Sequence, residues 1–512
     1  MAALGWCHNC NVPVLDAGEC GICGAKSEVI RSHEVKPIFD IEKRKIKDLL
    51  KGQGLSEELI PKNLSFRDIQ GYILIDGIKP LRLGFSPEKK MWYIEPTKAY
   101  EGAKMMTMGS ELEMVIKANE HILKEKEDEA LAFLSEVVET HSNLPLAVAF
   151  SGGKDSAVAL ALTRKLKKNF DVIFLDTTIE LPETVEYTVK LAELWNLNLI
   201  SVKPDHEFID LCKLIGPPSR FMKWCCKTQK FSQMNKLIHE KYSEGVIMVR
   251  GVRAAESGKR ESYRRLGKMK WTPNEVIANP ILKWASLDTW LYIFWKRIPY
   301  NKAYEYGFSR IGCWACPAKS LKDFSILEDS HPELISKLYA ILDNFAIKRN
   351  ISSKWSHSGA WRYRKSQVSK MSVCASRPCS TSKDFVFSID NPSVIKNVVE
   401  FFKIFGPVKK RGVMSIINGK DVELSAVGKS IRILFKNRDN EDKILRYLER
   451  ALNCIDCGAC QAVCDKGAIK QINGKRIIDE SLCIGCQKCL TFTCIALRYG
   501  SNRLSVALSS AC

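Results

Sequence analysis

Residues 145–150 read Pro-Leu-Ala-Val-Ala-Phe, residues 151–156 Ser-Gly-Gly-Lys-Asp-Ser, and residues 157–166 Ala-Val-Ala-Leu-Ala-Leu-Thr-Arg-Lys-Leu. The first run is apolar at successive positions and short, which suits a strand buried on both faces. The third has the composition and length of a helix. Between them, Gly152 and Gly153 let the backbone approach an anion closely, and the amides and positive dipole end of the following helix favour a phosphate. The hydroxyls of Ser151 and Ser156 add donors, and Lys154 adds a point charge. The spacer and second Gly-Lys pair of a Walker loop are missing. The stretch therefore predicts strand, phosphate loop and helix, with Ser151, Gly152, Gly153, Lys154, Asp155 and Ser156 binding a nucleotide.

Working outward, apolar strands are expected at 171–175, 199–202 and 246–251, with helices around 183–195 and 231–242. That alternation implies an α/β core, a parallel sheet covered by helices on both faces. Asp176 and Thr177 end a strand at the carboxyl edge, where open α/β sheets bind ligands, and are expected to contact the nucleoside. Arg253 and Arg260 follow a later strand, and guanidinium groups suit bidentate contact with phosphate or sulfate.

Several segments occur in a fixed order: SGGKDS, FLDTTIELPET at 174–184, GVRAAESGKR at 251–260, NPILKW at 279–284 and IPYNKAYEYGFSRIGCWACP at 298–317. Together they resemble the PP-loop, Rossmann-like family of adenine-nucleotide alpha hydrolases, and more closely its phosphoadenylyl-sulfate and adenylyl-sulfate reductase branch. The resemblance covers roughly residues 145–370. It implies an adenine nucleotide as substrate, Arg253 and Arg260 facing its anionic end, and Lys154, Arg253 and Arg260 as catalytic residues. It also implies a mobile cysteine that attacks sulfur. The family's C-terminal Glu-Cys-Gly-Leu-His motif has no match, so Cys374, Cys379 and Cys512 are the candidate nucleophiles.

The chain has 20 cysteines, and sixteen fall into sets with metal-ligand spacing. Cys7, Cys10, Cys20 and Cys23 form two knuckles in a segment too short for a core, the pattern of a structural zinc ribbon. Cys225-Cys226 with the distant Cys313 and Cys316 resembles the adenylyl-sulfate reductases that carry a [4Fe–4S] cluster; zinc and a vicinal disulfide are the alternatives. The C-terminal block looks like a bacterial two-cluster ferredoxin. One cluster would take Cys454, Cys457, Cys460 and Cys494, and the other Cys483, Cys486, Cys489 and Cys464. Asp465 stands where proline usually follows, and the second run has one extra residue before its last cysteine. Zinc is the alternative for these thiolates too.

The 512 residues imply several domains: a zinc ribbon at 1–30, a small α+β domain at 31–110, the reductase-like domain at 111–375, a second α+β domain at 380–452 and the ferredoxin-type domain with its tail at 453–512. In the first α+β domain a helix is expected near 43–50 and strands at 71–75 and 91–95. A long helix follows at 111–141. In the second, a strand, a helix at 393–405, two further β segments and a helix at 440–452 are expected. With 46% hydrophobic and 27% charged residues the composition is globular. No apolar run approaches the roughly 20 residues that span a bilayer, so no membrane partner and a cytoplasmic address are expected. A net charge of +20 is compatible with RNA, with nucleotides or with a lysine-rich surface.

The function expected from these readings is iron–sulfur reduction of an activated sulfate to sulfite, as in sulfate assimilation, fed by an external low-potential electron donor. The alternative is an ATP-dependent, adenylating sulfurtransferase acting on tRNA. A third class is an electron-transfer protein with a nucleotide-responsive domain.

Overall fold

Six strands form the central sheet, in the order Asn198–Val202, Asp171–Leu175, Leu146–Phe150, Val246–Arg250, Thr272–Ala278, Leu266–Met269. Leu146–Phe150 pairs in parallel with Asp171–Leu175 and with Val246–Arg250, placing Val148 opposite both Val172 and Val249. Parallel registry puts the loops that follow Phe150, Leu175 and Arg250 on one edge. The helices Lys154–Lys165, Leu112–Thr140 and Ser286–Trp295 bury Val158, Leu162, Leu134 and Trp290 in the same core. The computed structural model describes residues 4–32, 34–103, 108–269, 272–365, 384–388, 392–491 and 494–495.

Most of this sheet belongs to the first of two units, made of Met1–Ser201, Glu244–Lys268 and Glu275–Ser336. The two strands beyond Val246–Arg250 were not expected: a Lys-rich stretch and Pro273 mask their alternation. In the same unit, Leu4–Cys7 pairs antiparallel with Val12–Val14 and Glu28–Ile30. Asn119 of the long helix accepts from the Leu15 amide at 2.7 Å and donates to the Pro13 carbonyl at 2.8 Å, fastening these strands. A five-stranded sheet, Lys36–Pro37, Phe66–Arg67, Tyr72–Ile75, Ile78–Ser86 and Met91–Pro96, packs against the helix Asp40–Gly52. Glu42 of that helix is buried and holds Lys36 at 2.6 Å and Arg67 at 2.7 Å.

The second unit comprises Val202–Ser243, Met269–Asn274 and Lys337–Cys512. Its five-stranded sheet runs in the order Asp384–Ser388, Ser430–Phe435, Val422–Val427, Met414–Asn418, Val408–Arg411. Four strands therefore follow the helix Pro392–Phe402 where two were expected, because Lys409, Lys410 and Arg411 face water and hide the strand period. Val398 and Phe402 of that helix share a core with Ile444 and Leu448 of Glu441–Leu452. No helix among the described residues is long and apolar enough to cross a membrane.

Candidate functional site

The phosphate loop turns between strand and helix because Gly152 takes φ +70° and Gly153 caps the helix. A Cβ on Gly152 would lie 2.5 Å from Thr184 Cγ2, so the first glycine is required by space as well as by backbone angle. Gly251 lies so close to the loop that a Cβ there would lie 2.3 Å from the Asp155 carbonyl. Asn301 donates to the Gly152 carbonyl at 3.1 Å and to Thr184 Oγ1 at 3.0 Å, while Tyr304 Oη accepts from the Lys154 amide at 2.9 Å. Ser156 Oγ donates to the Gly153 carbonyl at 2.8 Å and accepts from the Ser151 amide at 3.3 Å. These contacts hold the loop from both flanks.

A chain of charges runs through the loop. Lys154 Nζ lies 2.8 Å from both Asp155 oxygens, Arg253 Nε donates to Asp155 Oδ1 at 2.7 Å, and the other two Arg253 nitrogens grip Glu34 at 2.8 and 2.7 Å. Glu34 Oε1 also accepts from the Ser286 amide at 3.2 Å. Lys154 and Arg253 are 3% and 2% exposed, so two cations face two anions in a medium that strengthens every pairing. Burial lowers the Lys154 ammonium to about 8 against the pull of Asp155. Burial alone would raise Asp155, yet Lys154 and Arg253 hold its carboxyl at about 2. Arg260 sits on Glu256, whose other oxygen lies 3.1 Å from Arg310. Of the two arginines named from sequence, Arg260 is the more exposed and Arg253 is enclosed between two carboxylates.

On the neighbouring strand's loop, Asp176 accepts from the Thr178 amide at 3.0 Å, and buried Thr177 donates to Glu180 at 2.8 Å. Cys313 Sγ lies 3.3 Å from Glu180 Oε1 and 3.7 Å from Thr177 Oγ1, and the Trp314 amide bonds the Ile179 carbonyl at 2.8 Å. The cysteine motif at 313–316 is thus fastened to a loop on the phosphate-loop edge. Cys316 lies in the same unit; Cys225 and Cys226 belong to the second. A pocket of about 570 Å³ opens at the opposite, amino-terminal edge of the sheet, beside Arg164, Lys168 and Trp195. Parallel-sheet chemistry belongs to the carboxyl edge, and that pocket carries none of the residues above.

The sulfurs of Cys7, Cys10, Cys20 and Cys23 all lie within 4.8 Å of one another. That spacing fits four ligands around one tetrahedral ion. In the second unit, Cys454, Cys457, Cys460 and Cys494 line one cavity, together with Cys489, Arg450 and Arg476. The two C-terminal cysteine runs share a backbone. Asp456 and Gly458 have φ 51° and 71°, and Gly485 and Gln487, 29 positions on, have 65° and 57°. A short helical turn follows each, Ala459–Val463 and Lys488–Thr491. Cys212 is buried, and burial pushes its thiol up. Cys374, Cys379 and Cys512 lie outside the described residues.

Glu34, Thr184, Asn301 and Tyr304 all act on the loop, and none was marked as a site residue by its local sequence. Thr184 closes the ordered segment at 174–184, and Asn301 and Tyr304 lie inside that at 298–317, which is the available signal. Glu34 lies 219 positions from its partner and carries none.

The family profile of the phosphoadenosine phosphosulfate reductase domain matches residues 145–319. An uncharacterised protein of Methanocaldococcus jannaschii is 32% identical over 278 residues, which are 54% of this chain and 58% of that protein's length. An adenosine 5′-phosphosulfate reductase of Bacillus cereus is 27% identical over 198 residues, 37% of this chain and 82% of that enzyme. Among solved structures, phosphoadenylyl-sulfate reductase from Candida auris overlays with a TM-score of 0.31 at 20% identity, covering 38% of this chain and 95% of that one. Residues 145–319, which carry the phosphate loop, the Thr177–Cys313 contact and both predicted arginines, match the phosphoadenylyl-sulfate reductase domain and are similar in sequence to adenylyl-sulfate reductases.

Proposed function

We propose that this chain is an iron–sulfur enzyme that reduces adenylyl sulfate or its 3′-phosphorylated form to sulfite. One juxtaposition carries the reading. The Ser151–Ser156 loop and the Asp176–Glu180 loop, with the Cys313 thiol bonded to the latter, share the carboxyl edge of one parallel sheet. Loop amides and Lys154 would bind the nucleotide's phosphate, Asp176 and Thr177 the nucleoside, and Arg260 with Arg310 the sulfate end. Arg253 would act through Asp155, keeping Lys154 in place.

Sulfite release takes two electrons, drawn from an external low-potential donor. The nucleophilic thiol would be Cys374, Cys379 or Cys512; buried Cys212 is a poor source of thiolate. Cys454, Cys457, Cys460 and Cys494 would hold one [4Fe–4S] cluster and Cys483, Cys486, Cys489 and Cys464 a second. Such clusters supply electrons singly. Cys7, Cys10, Cys20 and Cys23 would hold zinc as a structural clamp. The same loop geometry also suits ATP, which supports the second reading, an adenylating sulfurtransferase of tRNA.

Anaerobically purified protein, given adenylyl sulfate or its 3′-phosphate and a low-potential reductant, is expected to release sulfite and the matching nucleotide. Absence of sulfite together with ATP-dependent pyrophosphate release would replace reduction by sulfur transfer. Single replacement of Cys374, Cys379 and Cys512 should abolish turnover in one variant only.

A further inference from the structure

The cavity formed by the first C-terminal cysteine run is lined by two buried arginines, Arg450 and Arg476. Arg450 donates to the Leu490 and Cys489 carbonyls, the latter at 2.5 Å. Arg476 is 5% exposed. Its guanidinium lies 3.7 Å from the centre of the Phe401 ring and donates through Nη2 to Tyr447 Oη at 3.1 Å. Its Nε and Nη1 are buried and, among the described residues, meet no acceptor within hydrogen-bond geometry, while its side chain interacts with the Cys460 thiol. Buried guanidinium donors are rarely left unpaired, because each forfeits its hydration. Here both belong to a side chain lining the cavity that Cys454, Cys457, Cys460 and Cys494 share.

The one carboxylate of this run is engaged elsewhere. Asp456 accepts from the Arg476 backbone amide at 3.0 Å and from Lys475 Nζ at 3.1 Å. It fixes the hairpin that carries Arg476 rather than neutralising the guanidinium. An acceptor for these nitrogens would sit beside the cysteines that line the cavity. A thiolate-ligated cluster with inorganic sulfides would offer such acceptors and an opposite charge, so these residues fit the group.

The second run provides the contrast. It repeats the backbone of the first, yet Ile484 is 67% exposed and Cys486 is also exposed. Asp456, Gly458 and Ala459, between the cysteines of the first run, are buried instead. Ser232 and Asn235, on the helix Ser232–Lys241, cover that first run by donating to the Gly458 carbonyl at 2.9 Å and the Gln461 carbonyl at 2.7 Å.

Cluster potentials depend on nearby charge, hydrogen bonds to sulfur and exposure to water. A cluster gains negative charge on reduction, so an adjacent cation and sulfide-directed donors favour its reduced state. We infer that Arg476 sets the potential of the cluster held by Cys454, Cys457, Cys460 and Cys494, donating Nε and Nη1 to its sulfides and making it the higher-potential member of the C-terminal pair. The inference rests on the iron–sulfur reading above.

The test is an anaerobic redox titration of the full chain followed by electron paramagnetic resonance, with iron and acid-labile sulfide assayed on each sample. The wild type is expected to show two C-terminal cluster signals of different potential. Arg476→Gln should move the higher one downward and leave the lower in place, and Arg476→Lys, which keeps the charge but loses the fork, should move it less. If the Gln variant fails to assemble, the downward shift in Arg476→Lys decides. Fully loaded variants with neither potential moved would overturn the role of Arg476 and leave the cluster assignment standing. A wild type without iron and sulfide would overturn both.

Discussion

The phosphate loop and the first C-terminal cysteine run both bury two cations, and they balance them differently. Around the loop, Lys154 and Arg253 meet Asp155 and Glu34, so charge closes within the polypeptide. Around the cysteine run, Arg476 keeps two buried nitrogens without an acceptor among the described residues. The first arrangement is complete as protein and can be preorganised before its ligand arrives. In the iron–sulfur reading proposed above, the second would be completed by the cluster its cysteines hold. On that reading, the pattern of buried charge separates a site for a substrate from one built around a resident group.

The largest effect is expected where the closed network is opened. Asp155→Asn leaves Lys154 and Arg253 without their shared carboxylate and should cost about 3–5 kcal/mol of first-unit stability in urea melts. A loss below about 1 kcal/mol, the range of exposed pairs, would break the contrast drawn above. Because the folded Asp155 carboxyl is depressed to about 2, its contribution is full above the ordinary carboxylate range and is lost as pH falls toward 2.

Gly152→Ala should come next. The left-handed φ disfavours a side chain by about 1–2 kcal/mol, and the new methyl meets Thr184 Cγ2. Nucleotide affinity measured by calorimetry should fall about tenfold or more, ~1.4 kcal/mol per decade. Adding Thr184→Ser removes that methyl contact and should restore part of the loss; no recovery would assign the whole effect to the backbone angle.

A smaller effect is expected from pH. Lys154 is a cation below about 8 and loses its proton above it, so affinity for an anionic nucleotide should weaken severalfold as pH rises from about 7 to 9. Lys154→Arg, charged throughout, should flatten the profile. The smallest effect is assigned to the exposed second run: Ile484→Ser should change stability by no more than about 0.5 kcal/mol. A larger loss would mean that this run is covered in the folded chain.

The phosphate loop was legible because strand, loop and helix are contiguous, so one window of sequence carries all three signals. The ordered segments extended that reading to the sheet's carboxyl edge and to Cys313. The strands Leu266–Met269 and Thr272–Ala278 were illegible for a local reason, lysines and a proline breaking the period. Val408–Arg411 was obscured in the same way by three consecutive basic residues.

What the sequence determined alone is the chemistry available: a glycine turn that welcomes an anion, thiols at ligand spacing, and guanidinium groups for phosphate or sulfate. Which charge meets which was decided only by folding. Arg253 faces Glu34 rather than solvent, and Arg476 lines a cavity with cysteines of both C-terminal runs, because partners far apart in the chain leave no periodic trace and become neighbours only when the elements between them pack.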